Sequence, residues 1–542
     1  MIILGIHGGF TTGVQDASAC LVKDGIVLGA IQEERLCRVK FSPGRLPFLA
    51  IGKVLKICNI AIEEVDYVAF HGVNWGKGTK TALEGFFVSH FGYSPSILQY
   101  HHHDCHASST YFASSFDNAL IVTSDSSGDG VSLQIAVGEA GDINVLKRFN
   151  RPNSLGIFYS IITQYCGFTK ESDEYKLMGL AAYGQPNIDL SWLIEFKDGS
   201  LKLDSDYVSG FQHSTPSPHF QQMIFSQKFI AKLGRTRRLP GTQIDQFYKD
   251  VASSAQFHFE TILGDIVKYY VGQTGIQDVC LAGGAAFNGV ANSKLLSRNQ
   301  CVRNLYVSPV SGDMGLSMGA AWLCSSEFRE PPKPPANYFL GQSFTGSEVQ
   351  NILENSKVKF TKVDKPAEKA AELIEGNKVI GWFQGRDEFG PRALGNRSIL
   401  ANPFNAKMRE MVNQNIKFRD GFRPFAPSVI DLDVDKLFED VRFSSYMNVT
   451  YKLKNDYLDM LSSVIHVDKT SRIQNVKRED NPMFYNLLFL LREKFGFGVV
   501  LNTSFNLSHE PIVSSPRDAL ASFFSSGLGA LIIEDYLLLK QV

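Results

Sequence analysis

The chain opens on an apolar run, "MIILGIHGG", which predicts a buried strand that ends where Gly8 and Gly9 begin. Two further apolar runs in "ASACLVKDGIVLGAIQEER" flank Asp24-Gly25. Asp-Gly between such runs predicts a tight hairpin, because both turn positions call for a positive φ. The pattern returns in "ALIVTSDSSGDGVSLQIAVGEAGDINVLKRF", which reads as strand, Asp/Gly/Ser turn, strand and Gly-Asp hairpin. A unit of this kind met twice predicts a duplicated α/β domain. "DVCLAGGAAFNGVANSKLL" and "NLYVSPVSGDMGLSMGAAWL" then read as strand, polar loop and helix. Small residues and backbone N–H groups at such turns suit an anion or a nucleotide.

The proline-rich "EPPKPPAN", Glu330 to Asn337, follows a helical run and can continue neither a helix nor a central strand. It predicts a boundary between domains 1–335 and 336–542. Beyond it come a helix "AEKAAELIEGN", a strand "KVIGWFQG", a helix "NPMFYNLLFLLREKF", a strand "GVVLN", a helix "SPRDALASFFSSG" and a closing strand "ALIIEDYLLL".

Composition changes this picture little. A net charge of -1 over 542 residues points to neither nucleic acid nor a membrane surface. No run of 18 apolar residues is present, and the start lacks the basic region of a signal peptide. Eight scattered cysteines without a CxxC pair predict reduced thiols in a cytoplasmic protein.

Two clusters carry candidate chemistry. In "HHHDCHASST" four of the 12 histidines fall within six positions. Isolated histidines are ordinarily satisfied core or surface groups. On a helix, however, His102 and His106 stand at i and i+4, close enough for both to meet one cation. Two carboxylates at strand ends, Asp125 and Asp313, would complete a set suited to iron, manganese or zinc. Spacing alone does not select these two from the other acidic residues. His101 and His103 point elsewhere on that helix. The second cluster is basic: Arg392 and Arg397 in "FGPRALGNRS", Lys417, Arg419 and Arg423 in "IKFRDGFRPFAP", and Arg472 in "HVDKTSRIQ", with Ser504 and Asn506 in "LNTSFN". These cations alternate with Phe, Pro and Gly rather than Glu, which favours a phosphate site over a solvated charged face.

"EFGPRALGNRS", "FRPFAP", "HVDKTSRIQ", "LNTSFN" and "EYKLMGLAAYG" resemble the signature stretches of the O-carbamoyltransferase family. That family includes nodulation, cephamycin and tobramycin carbamoyltransferases. The resemblance runs from the first strand to the last. It implies a duplicated actin-like (sugar-kinase or heat-shock ATPase-like) N-terminal domain, followed by a YrdC-like α/β domain. It implies that carbamoyl phosphate and ATP give carbamoyladenylate in the second domain, and that a small-molecule hydroxyl takes the carbamoyl group in the first. Matched by position, it assigns His102, His106, Asp125 and Asp313 to a metal, with iron the first choice and manganese or zinc the alternatives. It places Gly128, Gly283, Gly284 and Asn288 near the nucleotide. It assigns carbamoyl phosphate and ATP, with Mg²⁺, to Arg392, Lys417, Arg423, Arg472, Ser504 and Asn506. Lys40 falls near the transfer site, and a homodimer is compatible with the family.

One position departs. Most members carry a His in "HDAS", the base for the acceptor hydroxyl; here the stretch is "VQDAS", and Gln15 cannot take a proton. His7 could supply the base, or Asp16, or the acceptor could need none; or carbamoyladenylate serves another step. Transfer to an amine or another nucleophile stays open, as do a partner in tRNA modification or hydrogenase maturation and a non-enzymatic nucleotide-binding scaffold. The stretch His71–Ser94, rich in aromatics and Gly, is the expected acceptor loop.

Overall fold

The computed structural model describes residues 1–10, 13–76, 78–209, 223–419, 421–442 and 444–540. Strands β1 (Ile2–His7), β2 (Ser18–Lys23), β3 (Ile26–Gln32), β4 (Tyr67–His71) and β5 (Ser96–Tyr100) form a sheet in the order β3-β2-β1-β4-β5. Strands β6 (Asn118–Gly128), β7 (Val131–Glu139), β8 (Asp142–Asn150), β9 (Asp278–Ala282) and β10 (Asn304–Val307) form a second, in the order β8-β7-β6-β9-β10. In each sheet the first three strands pair antiparallel and the last two join in parallel. The two sheets therefore repeat one topology, and the duplicated α/β arrangement is real.

The hairpins arise locally. Asp24 and Gly25 have φ of 50° and 78°, and Asp129 and Gly130 have 53° and 83°, the paired positive values of a two-residue hairpin turn. The third turn is one residue earlier than the Gly-Asp reading: Ala140 and Gly141 turn, at 53° and 87°, and Asp142 already pairs with Glu139. Helix His102–Ser114 packs against helix Leu316–Glu327, which in turn covers β1 and β4. Fully buried Trp322 anchors that layer. Side chains of this kind contribute roughly 1.5–3 kcal/mol each on burial.

Three other expectations shift. Asp125 lies within β6, not after it, at a break in the pairing with β7 between Ser124 and Gly128. The closing strand is a hairpin, Ala530–Ile533 and Tyr536–Leu539, because Glu534 adopts φ 45° and the chain turns there. Apolar residues on both sides of an acidic turn had read as one run. The stretch His71–Ser94 is chiefly a helix, Gly78–Phe91, which buries Leu83 and Phe87 in the core.

From Thr361 to Leu539 the chain forms an eight-stranded mixed sheet. Near its centre Arg397–Ala401 pairs with Val499–Ser504, and Val499–Ser504 with Ala426–Ile430. All eight cysteines are free thiols. Among the described residues no helix is long and apolar enough to cross a membrane.

Candidate active site

The helix that begins at His102 is capped from two directions. The His101 ring accepts the N–H of His103 at 3.2 Å, and Asp129 accepts the N–H of His102 at 2.9 Å. The His103 ring is tied inward, to the Thr123 hydroxyl at 2.7 Å and the Val131 carbonyl at 3.1 Å. That leaves His102 and His106 side by side, their Nε2 atoms 3.1 Å apart. Gly128 backs the pair: a Cβ there would fall 2.0 Å from His102 Cδ2. Asp125 stands 3.1 Å from His106 and 3.7 Å from His102; Asp313 stands 3.4 and 3.7 Å from the same two. All four ligand-type atoms lie within 4.8 Å of one another.

Electrostatics describe a site that wants a cation. Burial opposes charge on His106, yet Asp125 and Asp313 outweigh it and raise the ring to about 9. Burial likewise opposes charge on Asp125, but both imidazoles hold it well below the usual carboxylate range. Two nitrogens and two carboxylate oxygens aimed at one point are a mixed, borderline donor set, and the residues fit a divalent transition ion.

Asp125 and Asp313 face a cavity of about 1360 Å³, and the cavity continues to the C-terminal sheet, where Arg392, Lys417, Arg423, Arg472, Ser504 and Asn506 line it. Lys417 lies in a turn of π-helix, Asn413–Lys417. Its ammonium donates to the Ser504 carbonyl at 2.5 Å and to Asn506 Oδ1 at 2.8 Å. Burial, then Arg419, Arg423 and Lys40, pushes it well below its ordinary range. Burial and then the positive charges of Arg472 and Arg423 act in the same direction on Arg392, and burial and Arg423 lower Arg472 to about 10. Nε of both Arg392 and Arg472 is buried without a partner among the described residues. Arg392 lies 5.7 Å over the Phe287 ring and Arg423 4.5 Å over the Tyr175 ring. Like charges gathered at the wall of a cavity, buried or half-buried and lacking carboxylate partners among the described residues, are arranged for an anion.

A family profile described as "Carbamoyltransferase N-terminus" matches residues 79–322, and one described as "Carbamoyltransferase C-terminus" matches residues 371–540. This chain belongs to the carbamoyltransferase family. Nodulation protein NolNO of Sinorhizobium fredii is 33% identical over 100% of this chain and 83% of its own length. A 3'-hydroxymethylcephem-O-carbamoyltransferase of Amycolatopsis lactamdurans is 29% identical over 68% of this chain and 65% of its own. Among solved structures, the activator of the 2-hydroxyisocaproyl-CoA dehydratase from Clostridium difficile matches at 15% identity and a TM-score of 0.35, over 61% of this chain and 96% of that one. A likeness that distant carries no argument about activity.

The carbamoyltransferase brings together most of its expected site residues, but not all. Gln15, Asp16, Lys40, Gly284 and Asn288 line the cavity; Gly128 and Gly283 do not. The Asn288 amide is spent locally: it caps helix Gly289–Arg298 and exchanges hydrogen bonds with Gln256 at 2.9 and 3.1 Å. Gly283 serves close packing, with φ 85° and the Ser124 carbonyl where a Cβ would be, at 2.1 Å. Gly283→Ala is expected to destabilise the carbamoyltransferase by about 2–4 kcal/mol, the sum of the left-handed penalty and overpacking, readable as a lowered melting temperature. Arg397, read above as one of the basic cluster, belongs to the framework. Its guanidinium donates to the carbonyls of Gln384, Asn396, Gln342 and Gly385 and lies 3.5 Å from the Phe383 ring centroid. None of the described residues of His71–Ser94 lines the cavity, since the Gly78–Phe91 helix turns its apolar side to the core. Lys170 and Tyr175 do line it and were missed. Tyr175 sits in the quoted "EYKLMGLAAYG", whereas nothing in its sequence surroundings marks Lys170.

Proposed function

We propose that the chain is an ATP-dependent carbamoyltransferase that makes carbamoyladenylate from carbamoyl phosphate and ATP and passes the carbamoyl group to a hydroxyl of a small-molecule acceptor. The observation that carries this reading is one cavity lined both by Arg392, Lys417, Arg423 and Arg472, without carboxylate partners among the described residues, and by Asp125 and Asp313 of the His/Asp cluster. The division of labour follows domains 1–335 and 336–542. In the second, Arg392, Lys417, Arg423 and Arg472 offset the charge of two phosphorylated substrates, and Ser504 and Asn506 orient them with the Lys417 ammonium. Water hydrolyses carbamoyl phosphate to carbamate and inorganic phosphate; a carbamate oxygen then attacks the α-phosphorus of ATP, and pyrophosphate leaves. Mg²⁺ accompanies the nucleotide. In the first domain the acceptor oxygen bonds to the carbamoyl carbon, and AMP departs with the electron pair of the broken C–O bond. His102, His106, Asp125 and Asp313 would hold an iron ion, or manganese or zinc, which supplies Lewis-acid stabilisation of the charge that develops there.

The proton of the acceptor goes to Asp16. His7 is placed poorly for it: its Nε2 donates to the Gln15 carbonyl at 2.7 Å, and its Nδ1 meets His71 at 2.6 Å. Burial also holds His7 at about 4. No lone pair of that ring is left for a substrate. Asp16 faces the cavity, and burial, then Glu34 and Asp313, raises its carboxyl well above the ordinary range, the direction that makes a carboxylate a better base. Asp16→Asn is expected to slow carbamoyl transfer by about 10²–10⁴-fold. A base must be deprotonated to act. The wild-type rate should therefore fall as pH drops through the raised Asp16 value, above the ordinary carboxylate pKa of about 4, and Asp16→Asn should flatten that limb. A wild-type acid limb unchanged by the substitution would reject Asp16.

The overall reading is tested by pyrophosphate release from ATP with and without carbamoyl phosphate. Release that requires carbamoyl phosphate is the expected result. No release under either condition would reject the reading.

A further inference from the structure

The N-terminal segment Gln32–Phe41 touches both walls of the C-terminal anion site. At its start, Gln32 accepts the N–H of Gly390 at 3.2 Å, and Arg35 donates to the Gly390 carbonyl at 2.8 Å, two residues before Arg392. In its middle, Arg38 ends helix Glu33–Cys37 in the left-handed conformation. Its guanidinium then reaches across as a fork: Nη1 donates to the Ile512 carbonyl at 2.7 Å and Nη2 to the Pro511 carbonyl at 2.9 Å. At its end, the Phe41 carbonyl accepts the N–H of Asp16 at 2.6 Å, and Lys40 lines the cavity beside it.

The loop that Arg38 grips is itself held by the anion site. Asn506 accepts from Lys417 at 2.8 Å and donates to the Glu510 carbonyl at 2.6 Å, one residue before Pro511. A continuous hydrogen-bonded path thus runs Lys417, Asn506, Glu510–Pro511, Arg38, and along the backbone to Lys40 and Asp16. Arg38 is the one side chain in it that crosses between the two halves of the chain. Two adjacent carbonyls taken by one planar guanidinium fix both distance and angle, which a lysine cannot reproduce.

We propose that Arg38 is a positioning residue for the transfer step: it sets Lys40 and Asp16 in register with the wall that carries Ser504 and Asn506, so that carbamoyladenylate made at one end of the cavity meets its base at the other. The proposal rests on the functional reading above. It assigns Arg38 no part in adenylate formation, because its guanidinium is taken by the Pro511 and Ile512 carbonyls and by the Asp518 carboxylate, 3.5 Å from Nε, and does not line the cavity.

The test uses the full chain with its metal, ATP and carbamoyl phosphate, with water as the acceptor of last resort. The burst of pyrophosphate per enzyme reports adenylate formation, and the steady-state release of AMP reports its consumption. For Arg38→Lys and Arg38→Met the burst is expected to stay within about twofold of wild type, while AMP release falls by about 10–100-fold, the scale of an ångström-level misplacement. Arg38 also pairs with Asp518 at 3.5 Å and is partly exposed, so neither variant empties a core position; the melting temperature should fall for Met, which leaves Asp518 and two carbonyls to water, and less for Lys, which keeps the charge. Loss of burst and turnover in parallel would mark Arg38 as merely structural, and loss of neither would remove it from the reaction; either overturns the proposal. A wild-type enzyme that releases no pyrophosphate at all with carbamoyl phosphate present would instead overturn the functional reading itself.

Discussion

Replacing Arg392 with Met should lower pyrophosphate formation by about 10²–10³-fold and, in the absence of ligand, make the protein melt at a higher temperature. The two effects share one cause. Arg392 is pushed down by burial and by Arg472 and Arg423, and its Nε has no partner among the described residues. In the empty site the guanidinium is therefore a source of repulsion and desolvation. With carbamoyl phosphate or ATP present, the same charge faces an anion in surroundings poor in water, where a fixed donor is worth most. Removing it relieves the empty protein by up to ~1 kcal/mol, discounted because the side chain is only partly withdrawn from solvent. It forfeits several times that in the reaction. Thermal unfolding with and without ATP separates the terms: the variant should start higher and gain less on adding nucleotide. A ligand-free melting temperature that falls with the activity would show that Arg392 holds the fold rather than the substrate. Arg397→Met is the contrast. That guanidinium is fully buried on four carbonyls and should destabilise the protein outright when lost, because those acceptors would be left unpaired.

The second large effect is expected at the His/Asp cluster. Asp313→Asn should deplete the purified protein of the transition ion proposed for this cluster and reduce carbamoyl transfer by at least ~10²-fold, since even the groups behind a metal's direct ligands are worth about 10–100-fold in affinity. Asp313 is the substitution of choice because it is the most exposed of the four, so Asn in its place disturbs packing least. Elemental analysis for iron, manganese and zinc reads the first outcome. Wild-type protein that retains no stoichiometric transition ion would sink the metal assignment, whatever the variant does. Gly128→Ala offers an independent check, because its methyl group would collide with the His102 ring without changing any ligand atom. It should weaken ion retention in the same direction.

Much of this arrangement was legible in the residues. The Asp24-Gly25 turn and its later counterpart at Asp129-Gly130 are short-range signals, because two consecutive positive φ values are a property of the turn itself. The i, i+4 spacing of His102 and His106 is equally local once the run is helical. The neighbours Phe, Pro and Gly marked Arg392, Arg397, Lys417, Arg419, Arg423 and Arg472 together as a phosphate site, and all of these but Arg397 line the cavity. Spacing could not choose Asp125 and Asp313, since carboxylates are common and these two reach the histidines only through the pairing break in β6 and the turn after β10. Nor could it part Arg392 from Arg397. The two differ by five positions, and one faces a cavity while the other is swallowed by carbonyls. His7 looked like a base because a histidine at a strand end often faces a cleft. Here His71, 64 residues away on the adjacent strand β4, takes one of its nitrogens and the Gln15 carbonyl the other.

The amino-acid order alone thus determined the elements, the duplication, the family and the kinds of side chain available for the chemistry. These depend on interactions a few residues long, or on motifs preserved as strings. Which of those side chains keep a free lone pair, an unpaired charge or a face on the shared cavity was decided only in three dimensions. There, burial sets the penalty for each charge, and partners distant in the chain decide whether it is met.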